Sequence, residues 1–598
     1  MMIKKFREVF GKTDDVIREY SIVLVMAFVA AIATICYINF DGNSPENSFF
    51  YVKFGLVASL GISVMFALKI LSQRIGKEIV LQLVGIVFLI FFYFLLPAKE
   101  KQFTEVYAFL LIPTFILSHL LVSFLPFVGK NLEVNFWQYN KNLFINIFLT
   151  AVFTGVLTGG IMLAITAVDN LFDFNFNSQY YSNTFSFLSI FGSCFIFLLF
   201  NEKGLPYLEK KADYPVILKF FTQYILVPLL LIYAVILYFY SAKILINWEL
   251  PRGWVSYLIL AYSVVGILAI LLVHPLKQDS TKSWVKMFSK IFYYTLVPLI
   301  ILLFVAIFTR ILEYGYTEPR YFVLIISIWL TTVVFYFIFI PKQTIKFIPV
   351  SLFAFGVFSL TFPYLNTFMI AKRSQKNELM RTLSQKNILE NGKINFKKKI
   401  SGEDADEISD KFIFLAKRNE NQFLLNLLSS ETKSKFQIEN NNEEESLRFS
   451  NIRSEFTSTK YSIKEFNRSN NYRNTRLVSR NQSIDISQYR LLIKANVFAN
   501  TKFSFEDNTF ELEAPRNPVN TKLTLIYNKE EINLLPAIEQ LFKNAPRSGE
   551  QTVENLSITK KVGDYEVKIL FDSLLRTSAP NKKDEYMINS ESIIILIK

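Results

Sequence analysis

From Tyr20 to Ile370 the chain repeats one pattern, an apolar run of roughly 20 residues closed by a short polar loop. A run of that length crosses a hydrocarbon layer of about 30 Å as a helix, and a helix satisfies its own backbone groups where no water reaches them. Eleven runs fit, at 20–40, 51–69, 79–97, 106–128, 143–168, 184–201, 222–241, 254–273, 291–309, 321–340 and 347–370. With 52% hydrophobic residues in 598, lipid has to serve as solvent for part of the chain. The fold class expected is an all-α polytopic membrane bundle followed by a soluble α+β C-terminal domain.

Basic residues set the expected orientation, because positively charged loops resist translocation. With the N-terminus inside, the inner segments carry twenty Lys/Arg, among them Lys4, Lys5, Arg74, Lys130 and Lys346, and the outer loops six, Lys99, Lys101, Lys243, Arg252, Arg310 and Arg320. Asp14, Asp15 and Glu19 separate the basic start from the first apolar run, which is therefore read as an uncleaved helix behind a cytoplasmic segment 1–19. Eleven crossings put the C-terminal domain outside the cytoplasm, although Lys372, Arg373 and Lys376 right after the last run argue the other way. Charge density rises near Ala371: residues 1–370 hold 27 Lys/Arg and 19 Asp/Glu, residues 371–598 hold 37 and 31. The net +14 thus splits into +8 and +6, and neither part carries a concentrated nucleic-acid footprint.

Few residues in the membrane part carry chemistry. Cys36 and Cys194 lie in apolar runs and read as packing residues, with no disulfide or metal spacing. Gly11-Lys12-Thr13 lacks the earlier glycine of a phosphate-binding loop, and the two histidines, His119 and His274, form no paired zinc motif. No catalytic, cofactor-binding or metal residue is assigned. His119, midway along an apolar run, reads either as a proton relay or as a neutral side chain hydrogen-bonded to a neighbouring helix. Lys53 can snorkel from the end of its run. Gly155 and Gly159 share a helix face and would let a second helix approach. Asp169 and Asp173 sit among aromatic residues in a loop free of Lys and Arg, which could attract cations, dock a partner or anchor the interface.

Residues 219–340 read as a parallel repeat, since Val227-Pro228-Leu229 matches Val297-Pro298-Leu299 and the following loops end in Pro251-Arg252 and Pro319-Arg320. Glu249 with Arg252, and Glu313 with Arg320, then occupy corresponding outer loops, as a shared polar surface or as solvated ion pairs. After Ala371, helical spacing predicts helices over 373–390 and 404–430, with Asn391-Gly392 as a stop and 437–447 as a linker. Within 448–598, strands are predicted at 489–497, 502–505, 509–513, 522–527, 565–571 and 592–597, with a helix near 531–543.

The stretch Arg310-Ile311-Leu312-Glu313-Tyr314-Gly315-Tyr316-Thr317-Glu318-Pro319-Arg320-Tyr321, ahead of a helix containing Trp329, resembles the bacterial multi-pass membrane family catalogued as domain of unknown function 4153. Trp248 with Pro251-Arg252-Gly253, the Val-Pro-Leu helix and Ser374-Gln375 through Asn391-Gly392-Lys393 support the resemblance. It implies an envelope membrane protein and transfers no activity, ligand or cofactor. The functional expectation is an inner-membrane anchor that couples a soluble interaction domain, and through it an envelope protein partner, to the bilayer. The alternative is a permease for a small or amphipathic solute.

Overall fold

The computed structural model describes residues 12–598 apart from 41–44, 131, 173, 175, 211–215, 248–253, 276–282, 399, 439–448, 450–451, 457–472, 481–483, 497–499, 514–523, 529, 544, 546–548, 579–583 and 589–591. The chain forms two compact units, one over residues 1–400 and 404–458, the other over 401–403 and 459–598.

Among the described residues of the first unit, ten helices are long and apolar enough to cross a membrane. They are α1 (Ser21–Ile38), α2 (Pro45–Ile75), α3 (Glu78–Leu95), α4 (Ala108–Phe124), α5 (Glu133–Phe172), α6 (Ser178–Phe200), α7 (Lys219–Ile244), α8 (Trp254–Val273), α9 (Ser283–Tyr314) and α10 (Glu318–Phe339). Their outer faces expose large apolar side chains such as Phe94 at 76% and Val156 at 72%, as a lipid solvent requires. Inside, Tyr20, Leu60, Phe66, Phe127, Tyr139 and Leu198 form one core, and Leu230, Ile259, Leu296, Leu303, Trp329 and Val333 a second.

The run expected at 347–370 does not form one helix. α11 covers Phe347–Thr361, only 15 residues. Pro363 has no N–H to continue the ladder and pushes Phe362 into extended backbone. Asn366 then caps a new helix, α12 (Thr367–Gln385), by accepting from the Met369 N–H at 3.0 Å. Even so, α11 runs antiparallel to the full length of α10. Tyr336 stacks on Phe347 with centroids 3.9 Å apart, Trp329 Nε1 donates to Ser351 Oγ at 3.0 Å, and the Tyr321 hydroxyl donates to the Leu365 carbonyl. α12 therefore emerges at the end of the bundle where α10 begins.

The opposite end holds the start of α1. There Gln73 donates to Glu19 at 2.8 Å, Arg74 pairs with Glu209 at 2.6 Å and donates to the Pro126 carbonyl, and Lys346 donates to the Phe127 and Lys130 carbonyls. We call this the basic end.

Beyond α12 lie α13 (Gly402–Ala416), α14 (Asn421–Asn426) and α15 (Ser430–Ile438), packed with α12 around Leu379, Leu383, Ile408, Phe412 and Leu424. α12 stops five residues short of the expected 390. Asn391 and Gly392, at φ +50 and +75, instead turn a hairpin between β1 (Leu389–Glu390) and β2 (Lys393–Ile394). Two positive φ angles are what a two-residue hairpin turn needs, so the Asn-Gly pair signals a turn rather than a helix stop. Most of the expected linker falls at 439–448, outside the described residues.

The second unit is the α+β domain, and it has more strands than its alternation suggests. β3 (Arg473–Ser479) to β14 (Ser592–Ile597) form three four-stranded sheets in the orders β10-β11-β14-β4, β13-β12-β3-β9 and β5-β6-β7-β8. Here β4 is Leu491–Asn496, β5 Thr501–Phe505, β6 Asn508–Glu513, β7 Thr524–Tyr527 and β8 Glu530–Asn533. After the helix α16 (Leu535–Leu541) come β9 (Gly549–Val553), β10 (Ser557–Val562), β11 (Tyr565–Leu570), β12 (Ser573–Ser578) and β13 (Glu585–Ile588). β8 takes the first turn of the helix expected at 531–543, and Pro536 starts α16 later. All pairings are antiparallel except β3 with β9, and the core gathers Phe510, Leu525, Phe542, Phe571 and Ile595.

Candidate functional site

The most elaborated polar structure in the first unit lies where α9 turns into α10. Gly315 ends α9 in the left-handed region at φ +72, and its N–H returns to the Ile311 carbonyl at 2.8 Å. This is how a glycine satisfies the last orphan carbonyls of a helix. A Cβ at Gly315 would meet Glu378, Gln375 and Ser374 of α12 at 2.8–2.9 Å, so the missing side chain also lets α12 lie against the turn. Ser374 Oγ accepts the Tyr316 N–H at 2.8 Å, and Gln375 Nε2 donates to the Tyr314 and Tyr316 carbonyls at 2.9 and 3.0 Å. The turn is thus hydrogen-bonded to the helix that leaves the membrane.

α10 starts at Glu318, whose carboxylate belongs in the first helical turn, where N–H groups and the helix dipole favour an anion. Its side chain is fully buried, and Arg418 just past α13 meets it with two parallel bonds, Nε to Oε1 at 2.6 Å and Nη2 to Oε2 at 2.7 Å. Arg418 also donates to the Phe414 carbonyl at 2.7 Å and stacks on the Phe414 ring. The planar guanidinium suits this geometry, which a lysine could not reproduce. Beside it, Lys417 reaches Glu105 in the loop before α4 at 2.9 Å, while Glu420 takes Lys372 at 3.2 Å and Lys376. Burial raises the Glu420 carboxyl, but the hydrogen bonds and charges of Lys376 and Lys372 outweigh it and hold the group below the usual carboxylate range. Two of the three cations that follow the last apolar run, Lys372 and Lys376, are therefore engaged locally.

Six of the residues singled out in the sequence converge here, Arg310, Glu313, Tyr314, Gly315, Thr317 and Arg320. The expected Glu313–Arg320 ion pair does not form among the described residues: Arg320 Nη1 donates to the Gly315 and Tyr314 carbonyls at 2.8 and 3.2 Å, and Glu313 is exposed. Carbonyls left open at a helix C-terminus compete well for a guanidinium. The Tyr314 ring lies 5.8 Å from Arg310 and 5.3 Å from Arg320. Thr317 occupies the N-cap position of α10 without a side-chain capping bond. Sequence reasoning missed Arg418 as the partner of Glu318, 100 residues away.

The remaining candidates lie apart from the joint. His119 is exposed on the outer face of α4, and its Nδ1 sits 2.8 Å from the Phe115 carbonyl and 3.4 Å from the Ser118 hydroxyl of its own helix, with Ser118 in turn 2.7 Å from Ser63 of α2. Lys53 is buried, 4.1 Å from the Tyr93 centroid, with Nζ donating to the Leu96 carbonyl just past the end of α3 at 3.3 Å. Gly155 and Gly159 have nothing within 4 Å of a built Cβ, because that face of α5 points outward while Thr150 and Thr158 face inward. Asp169 closes its own loop by accepting the Phe176 N–H at 2.8 Å and the Tyr181 hydroxyl at 3.0 Å. Asp173, Glu249 and Arg252 lie outside the described residues.

The two prolines of the supposed repeat differ. Pro228 follows a π turn at Thr222–Leu226, whereas Pro298 sits inside the unbroken α9. Three residues before Pro298, Thr295 is gripped by Tyr238 of α7, which donates to its carbonyl at 2.9 Å, and by Tyr262 of α8 at 3.2 Å.

Comparison with known proteins bears on the membrane part. An uncharacterized protein of Pasteurella multocida (strain Pm70), PM1469, is 28% identical over 236 residues, covering 38% of this chain and 38% of the relative. The chain thus matches well under half of that relative's length. No solved structure matches. The model of the family described as domain of unknown function DUF4153 matches residues 22–393, from the first membrane helix through α12 and the β1–β2 hairpin, and the chain belongs to that family.

Proposed function

We propose that this membrane protein anchors its C-terminal domain and couples it mechanically to the bundle, rather than carrying out catalysis or transport. The observation that supports the reading is the buried Glu318–Arg418 pair, set beside a family-matched turn that is hydrogen-bonded to the exit helix. Polar groups spent on joining segments suit a joint. The permease reading leans on Pro228 and Pro298. Against it stand the continuous α9 and the closure of Tyr238 and Tyr262 onto Thr295. The excess of Lys/Arg at the basic end favours a cytoplasmic N-terminus in a bacterial inner membrane, which puts the joint and an envelope partner of the C-terminal domain outside the cytoplasm.

Two measurements test this. A binder raised against residues 459–598, added to the full chain in nanodiscs, should change hydrogen exchange over Tyr314–Tyr321, and Glu318→Gln should abolish that response; no change in the parent chain refutes coupling. Proteoliposome uptake of any solute that is lost in Pro228→Ala and Pro298→Ala variants would favour the permease. For sidedness, an impermeant maleimide should label a cysteine at Glu390 in intact cells and leave one at Lys130 unlabelled.

A further inference from the structure

At the basic end, a cavity of about 280 Å³ opens between the first turns of α9 and the last turn of α10, lined by Ser289, Lys290, Tyr293, Tyr294, Phe337, Ile338 and Gln343. Two of its polar groups are orphans. Ser289 is 5% exposed and Tyr293 3%, and among the described residues neither the Ser289 Oγ nor the Tyr293 hydroxyl has a hydrogen-bond partner. They stand four residues apart on α9, hence on one face of the helix. A buried hydroxyl without a partner is costly, and native structures rarely leave two together unless something unseen completes them.

The lining indicates the chemistry of the missing group. Its polar members are hydroxyls, the Gln343 amide and the Lys290 ammonium, and no carboxylate lines the cavity among the described residues. Gln343 Nε2 is already committed to the Phe337 carbonyl at 2.7 Å. The Tyr293 ring is fixed by stacking on Phe337, with centroids 4.8 Å apart and planes 4° from parallel, so its hydroxyl is held in place. Two hydroxyl donors and one ammonium in the same lining suit an oxyanion. The cavity's location selects among oxyanions. Gln343 also lines a second cavity with Lys130, Lys342, Lys346 and one carboxylate, Glu133, so both open in the basic layer of the bundle that meets lipid headgroups.

We infer that the α9–α10 cavity binds a phosphate group, presented either by an anionic phospholipid headgroup or by a free phosphate, with Ser289 and Tyr293 as donors and Lys290 as the counter-charge. The test is thermal unfolding of the full chain in a neutral detergent, titrated with short-chain phosphatidylglycerol, short-chain phosphatidylcholine or inorganic phosphate. Saturable stabilisation by phosphatidylglycerol but not by inorganic phosphate identifies the lipid as the source; stabilisation by inorganic phosphate alone identifies a soluble one. In the responsive arm, Ser289→Ala/Tyr293→Phe should weaken the midpoint at least about tenfold, and Lys290→Gln about threefold or more. The double variant keeps the stacked ring and removes two orphan hydroxyls, so its unfolding without ligand should be no earlier than the parent's, which separates lost binding from lost folding. Equal stabilisation by phosphatidylcholine and phosphatidylglycerol, no saturable response in any arm, or an unchanged midpoint in the double variant would overturn the assignment.

Discussion

The two ends of the helical bundle are both rich in charge and use it differently. At the basic end, Lys69 lies between Glu19 at 3.1 Å and Glu78 at 2.7 Å, and Arg74 meets Glu209 with both side chains about one-fifth exposed. At the joint, Glu318 and Arg418 have left water almost completely. Lys69 is itself only 8% exposed, but its partners Glu19 and Glu78 are 40% and 44% exposed, so water screens these pairs from the carboxylate side and they add modestly to stability. The second group has no such screening, and each partner depends on the other. Burial, not the number of ion pairs, decides which end specifies where a segment docks.

Removing one partner from the joint is therefore the sharpest way to break the contrast. Glu318→Gln should cost about 3–5 kcal/mol in opening of the contact between α10 and α13, read as faster hydrogen exchange across residues 402–418. The paired replacement Glu318→Leu with Arg418→Met should recover most of that loss, since two apolar groups leave no uncompensated charge. If the single variant exchanges like the parent, the pair does not hold the segment.

The next effect is steric. Gly315→Ala places a side chain in left-handed backbone at φ +72 and against three α12 side chains, so about 2 kcal/mol or more of local destabilisation is expected. Gly76→Ala at the basic end, at φ +76 but with nothing within 4 Å, should show the backbone cost alone, about 1–2 kcal/mol. Equal losses at the two glycines would mean that α12 yields to the added methyl, and that the turn and the exit helix are less tightly fitted than their hydrogen bonds suggest.

How much of this was legible in the sequence follows from the range of each interaction. Membrane helices announce themselves locally, because lipid demands about 20 apolar residues in a row, and all ten long helices lie where apolar runs stand. The break at Pro363 was also local, yet the apolar residues on both sides hid it. In the C-terminal domain, β3, β9 and β12 escaped detection because Arg473–Ser479, Gly549–Val553 and Ser573–Ser578 alternate weakly and gain their place from neighbours in the sheet. The joint shows the sharpest limit. Gly315, Tyr314 and Arg320 stood out in a short motif, but nothing near Glu318 distinguishes it from an ordinary first-turn acid until Arg418, 100 residues on, folds against it.

Acid should act alike on the two ends, and that is the smallest effect. Burial raises both Glu420 and Glu19, and in each case hydrogen bonds and nearby lysine charge outweigh it, Lys376 and Lys372 for the first, Gln73 and Lys69 for the second. Both carboxyls are thus depressed in the folded chain. A depressed carboxyl contributes stability above its unfolded value, about 4.3, and loses it as the pH falls through the folded value. Unfolding monitored from pH 7 downward should show a loss beginning near pH 4.5, reduced to a similar degree by Glu420→Gln and by Glu19→Gln, with each variant already slightly less stable at pH 7. Asp410 on α13 runs the other way, since burial and then Asp406 raise it, so acid relieves it and Asp410→Asn should deepen the loss seen in the parent chain. A much larger response to Glu420→Gln than to Glu19→Gln would extend the special character of the joint beyond its buried pair.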